Sequence, residues 1–96
     1  MSPELELLDV LLGEDEPLHT ALFVFGWPKP RALERAQHAV WMMVREGVIN
    51  VRYRAATGER VLAEWEVRDV FAIKANWLGQ HEQAEYFLSL TDKGVQ

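Results

Sequence analysis

The sequence predicts one α+β domain in which three helices precede a small antiparallel sheet. Apolar residues recur at helical spacing through residues 2–46, and glycines and prolines divide that region into three segments. From residue 48 onward, apolar and polar residues alternate in the way that half-buried strands require. A length of 96 residues is enough for one core and short for two, so residues 1–96 are predicted to form a single domain.

Capping residues define the first two helices. Ser2 is a favourable N-cap, and the leucine-rich segment that follows it ends at Gly13. Pro17 is a suitable first residue for a second helix, which Gly26 terminates. Residues 27–30 have the sequence Trp-Pro-Lys-Pro, and the two prolines prevent a helix there. A short, stiff turn is therefore expected between the second and third helices.

The third helix, predicted to begin at Pro30 or Arg31 and to end at Glu46, has two different faces. At 100° per residue, two sets of side chains fall on opposite sides of it. The predominantly basic face consists of Arg31, Arg35, His38, Met42 and Arg45. The apolar face consists of Leu33, Ala36, Val40 and Val44. Gly47 suits a left-handed cap at the end of this helix. One face is thus expected to be buried and the other to meet an anion.

A hairpin is predicted after the third helix. Residues 48–54 and 61–67 both alternate between apolar and polar side chains, and Thr57-Gly58 marks a turn between them. The pattern over residues 68–83 suits either a short helix or an extended segment, and slightly favours the helix. Residues 86–90 predict a last strand, after which Thr91 is placed to cap a terminal turn.

Charge is segregated along the chain, although the net charge is only −5. Residues 1–16 contain six acidic residues and no basic one, whereas residues 29–54 contain six basic residues and two acidic ones. The acidic balance argues against indiscriminate coating of nucleic acid and leaves room for one local basic surface. There is no cysteine, so disulfides, thiolate nucleophiles and cysteine-based zinc sites are excluded.

The expected location is cytoplasmic, with no membrane association. The first residues are acidic, which is the opposite of the basic start of a signal peptide. The longest uncharged run covers residues 17–28, and twelve residues are too few to span a bilayer.

Three helices, the last two joined by a tight turn, followed by strand, turn and strand, resemble a winged helix-turn-helix domain. The similarity is closest to the PadR-type and MarR-type transcriptional regulators. The similarity rests on three short sequence motifs: Pro17-Leu18-His19, Val44-Arg45-Glu46-Gly47-Val48-Ile49, and Tyr86-Phe87-Leu88-Ser89-Leu90-Thr91-Asp92-Lys93-Gly94. The last motif is similar to the "Y-x-L-T-x-K-G" ending of the wing strand in those families. Residues 55–85 then represent an extended insertion in the wing region.

The resemblance implies that the third helix is a recognition helix that enters the major groove of DNA. Its basic residues Arg31, Arg35, His38 and Arg45 would then face base edges or phosphates, Arg31 and Arg35 being placed to contact guanine. Phosphate contacts are expected from Lys29 in the turn and from Arg52 and Arg54 in the first strand of the hairpin. The alternative interpretation is that this charged face of the third helix is exposed to solvent and binds no nucleic acid. A contact from the turn at residues 57–60 is a weaker expectation, because Glu59 offsets Arg60.

Other features predict little chemistry. The tryptophans Trp27, Trp41, Trp65 and Trp77 are interpreted as core residues rather than as a ligand pocket, with Trp65 on a strand face. His81-Glu82 begins like a zinc-protease motif, but Glu85 stands in place of the second histidine, so no zinc site is predicted. Glu64 and Glu66 are expected on one strand face, where they are interpreted as surface residues rather than as a catalytic pair. His19 is interpreted as a capping or core-edge residue. No enzyme activity, cofactor or metal is therefore predicted.

Two functions remain open at this level. The first is a DNA-binding transcriptional regulator with double-stranded DNA as its partner, acting as a monomer or homodimer. The second is a winged-helix module that binds a protein and not DNA. The two functions are distinguished by geometry: DNA cannot approach if residues 61–78 fold over the third helix, or if Glu34 and Glu46 neutralise its arginines.

Overall fold

A computed structural model describes residues 2–78 and 85–95 of the chain. The elements in chain order are α1 (Pro3–Gly13), β1 (Glu16–Pro17), α2 (Leu18–Val24), α3 (Ala32–Arg45), β2 (Ile49–Ala55), β3 (Gly58–Val61), α4 (Glu64–Phe71), α5 (Lys74–Leu78), β4 (Tyr86–Leu90) and α6 (Asp92–Val95). The fold is therefore α+β, with a small antiparallel sheet beside a group of helices.

The four described strands form one antiparallel sheet in the order β1-β4-β2-β3. Strand β4 is central: Leu88 lies opposite Glu16 on one side and opposite Val51 on the other. The hairpin of β2 and β3 has Ala55 opposite Gly58, which confirms the predicted turn around Thr57. The sheet thus joins the segment between the first two helices to the segment after the third.

Local capping signals located the start of α1 and the end of α3, whereas α2 begins at Leu18 because the predicted first residue, Pro17, lies in β1. The hydroxyl of Ser2 accepts a hydrogen bond from the backbone N–H of Leu5 at 3.3 Å, so Ser2 is the predicted N-cap of α1. Gly47 follows α3 with φ +77°, the left-handed conformation that glycine adopts without a steric penalty. The bonds from Gly47 N to Val44 O and from Val48 N to Met43 O close the last turn.

The core lies between the helices and one face of the sheet. Each of the larger elements contributes fully buried side chains, which are Leu7, Leu18, Leu22, Val40, Ile49, Val51, Val67, Trp77 and Leu88. The apolar face predicted for α3 is confirmed, since Ala36 and Val40 are buried and Leu33 and Val44 are half-buried. This single cluster holds α1, α2 and α3 against β2 and β4.

The strand predicted over residues 61–67 is wrong. Strand β3 ends at Val61, and helix α4 begins at Glu64. The Glu66 carboxylate accepts a hydrogen bond from the backbone N–H of Ala63 at 3.1 Å, which satisfies a donor at the helix start. Burial then follows helical spacing at Val67, Val70 and Phe71.

The helical interpretation of residues 68–83 is correct for the part that the structure describes. Helix α4 ends at Phe71, α5 covers residues 74–78, and the remaining residues lie outside the described ranges. The Phe71 carbonyl accepts two hydrogen bonds, one from Trp77 Nε1 at 2.9 Å and one from Gln37 Nε2 at 2.7 Å. This one oxygen therefore ties α5 and α3 to the end of α4.

Within the described ranges, the helices are all too short or too polar to cross a bilayer.

Trp77 and Trp65 give matched tests of this packing, because one is fully buried and the other is 67% exposed. Trp77→Ala should lower the free energy of unfolding by about 3–5 kcal/mol, through the cavity and the lost hydrogen bond. Trp65→Ala should change it by less than about 0.5 kcal/mol. Urea unfolding followed by circular dichroism measures both, and a similar loss for the two variants would contradict the packing of α5.

Candidate nucleic-acid interface

Helix α3 presents one face to solvent over its whole length. Ala32, Ala36, Val40 and Met43 are buried. The exposed residues at or next to the helix are Arg31, Glu34, Arg35, His38, Met42, Arg45 and Glu46. The predicted two-faced helix is thus confirmed, and its exposed face carries both basic and acidic groups.

Arg31 lies just before α3 rather than inside it. Its backbone is in the left-handed region with φ 65°, a conformation that costs a non-glycine residue about 1 kcal/mol or more. Its carbonyl accepts the first bond of the helix, from the N–H of Arg35 at 2.9 Å. The tight turn before it is closed by hydrogen bonds from Lys29 N to Gly26 O and from Ala32 N to Lys29 O. Lys29 and Arg31 are therefore held at the N-terminal end of α3, where the helix dipole is positive.

The insertion after the hairpin packs along one flank of α3. Gln37 bonds the Phe71 carbonyl, and further along α3 the Arg45 Nε atom lies 3.4 Å from a carboxylate oxygen of Glu64. Between these points, Trp41 and Arg68 line a shallow groove between α3 and α4. The insertion covers this flank and leaves Arg31, Arg35 and His38 exposed.

Three of the predicted DNA-binding cations have partners within the fold. Arg45 pairs with Glu64. Arg52 is half-buried and donates from Nε to the Ser89 hydroxyl at 3.1 Å. Arg54 pairs with Glu59 and stacks over Phe87, its guanidinium carbon 3.9 Å from the ring centroid. These residues brace the sheet and the insertion, so they are less available to a phosphate.

The other predicted cations have no acidic partner in the described part of the chain. No carboxylate there lies within 4.0 Å of the Lys29, Arg31 or Arg35 side chains, and neither Glu34 nor Glu46 pairs with a base of α3. A further cation, Lys74, lies 5.7 Å from the centroid of the Trp27 ring and so adjoins the same turn. Lys74 was not predicted from the sequence, because the pattern around it is ambiguous between helix and strand. From here on, the name "basic end of α3" denotes four residues: Lys29, Arg31 and Arg35, together with Lys74 of α5.

The tip of the hairpin is tied to α4 by a bidentate ion pair. Arg60 donates two hydrogen bonds to Glu66, at 2.9 and 2.7 Å. These bonds, with the backbone N–H of Ala63, lower the pKa of the Glu66 carboxyl from its ordinary 4.5 to about 2, and the same pair raises the pKa of Arg60. Arg60 is therefore engaged by Glu66 and is less available to a phosphate.

The tryptophans differ in burial. Trp77 is fully buried, whereas Trp27 and Trp41 are half-buried and pack against the core. Trp65 contradicts the expectation of a core position on a strand face, since it lies on α4 and is 67% exposed. The physical reason is the change of period, because a helix turns Trp65 away from the side that buries Val67.

The weaker catalytic candidates do not form a site. Glu64 and Glu66 do not share a strand face as expected, because both lie in the first turn of α4, where they pair with Arg45 and Arg60 respectively. His19 packs edge-on against Phe23, with ring centroids 4.5 Å apart. No group of three or more potential metal ligands occurs in the described ranges, and the pattern at residues 81–82 lies outside them.

No protein-family model, curated protein or solved structure matches this chain. The PadR-type and MarR-type resemblance therefore stays a prediction.

The backbone of Arg31 allows a test of its strain. Arg31→Gly should raise the free energy of unfolding by about 1 kcal/mol relative to Arg31→Ala, because only glycine adopts φ 65° without a Cβ clash. Both variants lose the same charge, so the pair isolates the backbone effect. Chemical unfolding measures the difference, and equal stability would contradict the left-handed conformation.

The Arg60 pair predicts an unusual titration. The Glu66 carboxyl should titrate at about 2 in an NMR pH titration, and Arg60→Gln should move that pKa back toward 4.5. Because the folded-state pKa is depressed, the stabilisation from Glu66 is complete above 4.5 and is lost as the pH falls toward 2. Arg45→Gln serves as the control and should leave the Glu66 pKa unchanged. An unshifted Glu66 in the wild-type protein would contradict the pair.

Proposed function

We propose that this chain is a winged-helix DNA-binding domain, of the kind found in transcriptional regulators, that places α3 in the major groove of duplex DNA. The order of the elements supports the proposal. A short strand lies between α1 and α2, and α3 leads directly into a hairpin whose sheet is completed by β4. The insertion of α4 and α5 between β3 and β4 is an addition to the wing.

The basic end of α3 is the observation that carries the proposal. Arg31 and Arg35 are exposed, are joined by the first backbone hydrogen bond of α3, and have no acidic partner in the described ranges. An α-helix fits the major groove, and residues near its N-terminus contact base edges in helix-turn-helix proteins. Arginine is the residue suited to this position, because its planar head group can donate two hydrogen bonds to guanine.

The remaining cations divide into two groups by their contacts. Lys29 and Lys74 lie beside the turn before α3, where they are placed to contact phosphates on either side of the groove. Arg45, Arg52 and Arg54 are engaged by side chains of the fold. The interface therefore depends on four cations, and the affinity for duplex DNA is expected to be moderate and sensitive to salt.

A second candidate function is a protein-binding module without DNA binding. One observation favours it: Trp65 is 67% exposed beside Arg68 in the groove between α3 and α4. Exposed tryptophan is enriched at protein interfaces. The packing of α4 on α3 narrows the approach to the helix on that side. A protein partner at this groove should depend on Trp65, whereas DNA binding should depend on Arg31 and Arg35.

Duplex binding measured by fluorescence anisotropy at several salt concentrations tests the proposal. We expect binding at low salt that weakens as salt rises, since each phosphate contact releases counterions. Arg31→Ala and Arg35→Ala should each weaken binding by about tenfold or more, because each loses a contact to a base edge. Arg45→Ala is the matched control on the same helix, and its effect should be clearly smaller because Arg45 is already paired with Glu64.

Absence of duplex binding at low salt would refute the proposed function. An equal loss for Arg31→Ala, Arg35→Ala and Arg45→Ala would refute the assignment of the basic end as the contact region. Trp65→Ala should bind duplex DNA as well as the wild-type protein does. Weaker DNA binding by this variant would assign the contact region to the groove between α3 and α4 instead.

A further inference from the structure

Helix α1 exposes a row of leucines that the fold does not cover. Leu7 and Leu11 are buried in the core, whereas Leu5 and Leu12 are each 59% exposed. Leu8 is half-buried and lies between the two exposed leucines, so the three follow the spacing i, i+3, i+7 along one side of the helix. Scattered exposed leucines are ordinary, but an aligned row marks an interaction surface.

The leucine row continues into a groove between α1 and α3. The groove has a volume of about 370 Å³. Its lining is Glu4, Leu8, His38, Ala39, Met42, Met43, Glu46 and Val48. Met42 is 39% exposed, and its flexible side chain adapts to different partners. Leu8 and Met42 line this groove, and Leu5 and Leu12 adjoin Leu8 on α1; these four residues form the apolar surface that is named the α1–α3 groove from here on.

Carboxylates border this apolar surface. Glu4 and Glu46 line the groove itself. Asp9 is four residues after Leu5 and three before Leu12, so it adjoins both of them on the helix surface. Among the described residues, no basic side chain lies within 4.0 Å of any of these three carboxylates. The three carboxylates of this rim therefore make no ion pair with a described residue, although Lys93 Nζ lies near one of them, where it donates to the Glu46 backbone carbonyl at 2.7 Å.

We propose that the α1–α3 groove binds a cationic amphipathic helix of a partner protein. Apolar residues of such a helix at i, i+3, i+4 and i+7 would lie on the leucine row and Met42. Its lysines and arginines would reach Glu4, Asp9 and Glu46 at the edges. A helix with an acidic edge is repelled by the same rim, which gives the site its specificity.

A second copy of α1 does not suit this surface. Residues 2–16 contain six acidic residues and no basic one, so two copies of α1 packed together would oppose like charges along their length. The occupant must bring positive charge to the rim, and α1 supplies none.

A labelled synthetic peptide of about 16 residues, with leucine on one face and lysine on the other, tests the proposal by anisotropy at about 0.15 M salt. Two control peptides have the same length: one has the same composition in scrambled order, and the other has glutamate in place of lysine. We expect the ordered Leu/Lys peptide to bind and both control peptides to bind at least about tenfold more weakly.

Protein variants locate the binding. The double variant Leu5→Ser and Leu12→Ser should bind the Leu/Lys peptide about tenfold or more weakly, because the apolar contacts are lost. Both positions are exposed, so the substitutions leave the core intact. Phe23→Ser is the matched control, since Phe23 is 55% exposed on α2 and does not line the groove. Glu4→Gln combined with Asp9→Asn should weaken binding and make it less dependent on salt.

Several outcomes would overturn the inference. Equal binding of the scrambled peptide, or an undiminished affinity in the double leucine variant, would mean that charge alone attracts the peptide. A dimer seen by sedimentation that dissociates in the double leucine variant would mean that a second copy occupies the surface. Circular dichroism melting of each variant verifies that a loss of binding is not a loss of folding.

Discussion

The rest of the structure depends on the pairing of β4 between β1 and β2. This strand brings residues near the end of the chain beside Glu16 and Pro17, and beside the strand that follows α3. The sheet is therefore completed only when the chain returns from its insertion. The return point is defined on both sides, since Tyr86 lies opposite Tyr53 and the Arg54 N–H donates to the Glu85 carbonyl at 2.8 Å.

That closure determines where the insertion can lie. The chain leaves the sheet at the end of β3 and returns to β4 on the other side of β2, so α4 and α5 connect two strands that are not neighbours. The buried Trp77 and the doubly bonded Phe71 carbonyl hold these two helices against the flank of α3. The same packing pairs Arg45 with Glu64, so the sheet topology indirectly decides which cations of α3 have an acidic partner.

The helices were predictable because their ends are encoded locally, by Ser2 at the start of α1 and by Gly47 after α3. Residues 61–67 were not, because they satisfy the strand period and the helix period at once. What decides for the helix is the Glu66 bond to Ala63 together with burial at residues 67, 70 and 71, and burial is a tertiary property. The exposed face of α3 was likewise predictable, but the partners of its cations were not. The ion pair of Arg45 with Glu64 and the hydrogen bond from Arg52 to Ser89 connect residues that are distant in sequence.

A net charge of −5 does not oppose a local basic interface on this protein, because Glu46, which lines the α1–α3 groove, lies at the opposite end of α3 from Arg31 and Arg35. The helix has 14 residues, which is about 21 Å at 1.5 Å per residue. At physiological ionic strength the Debye length is about 8 Å, so charges at the two ends are largely screened from one another. Arg31 and Arg35 occupy the end where the dipole is positive, whereas Glu46 lines the acidic groove near the other end. One helix thus contributes to two surfaces of opposite sign: Arg31 and Arg35 lie at its N-terminal end, whereas His38, Met42 and Glu46 line the α1–α3 groove.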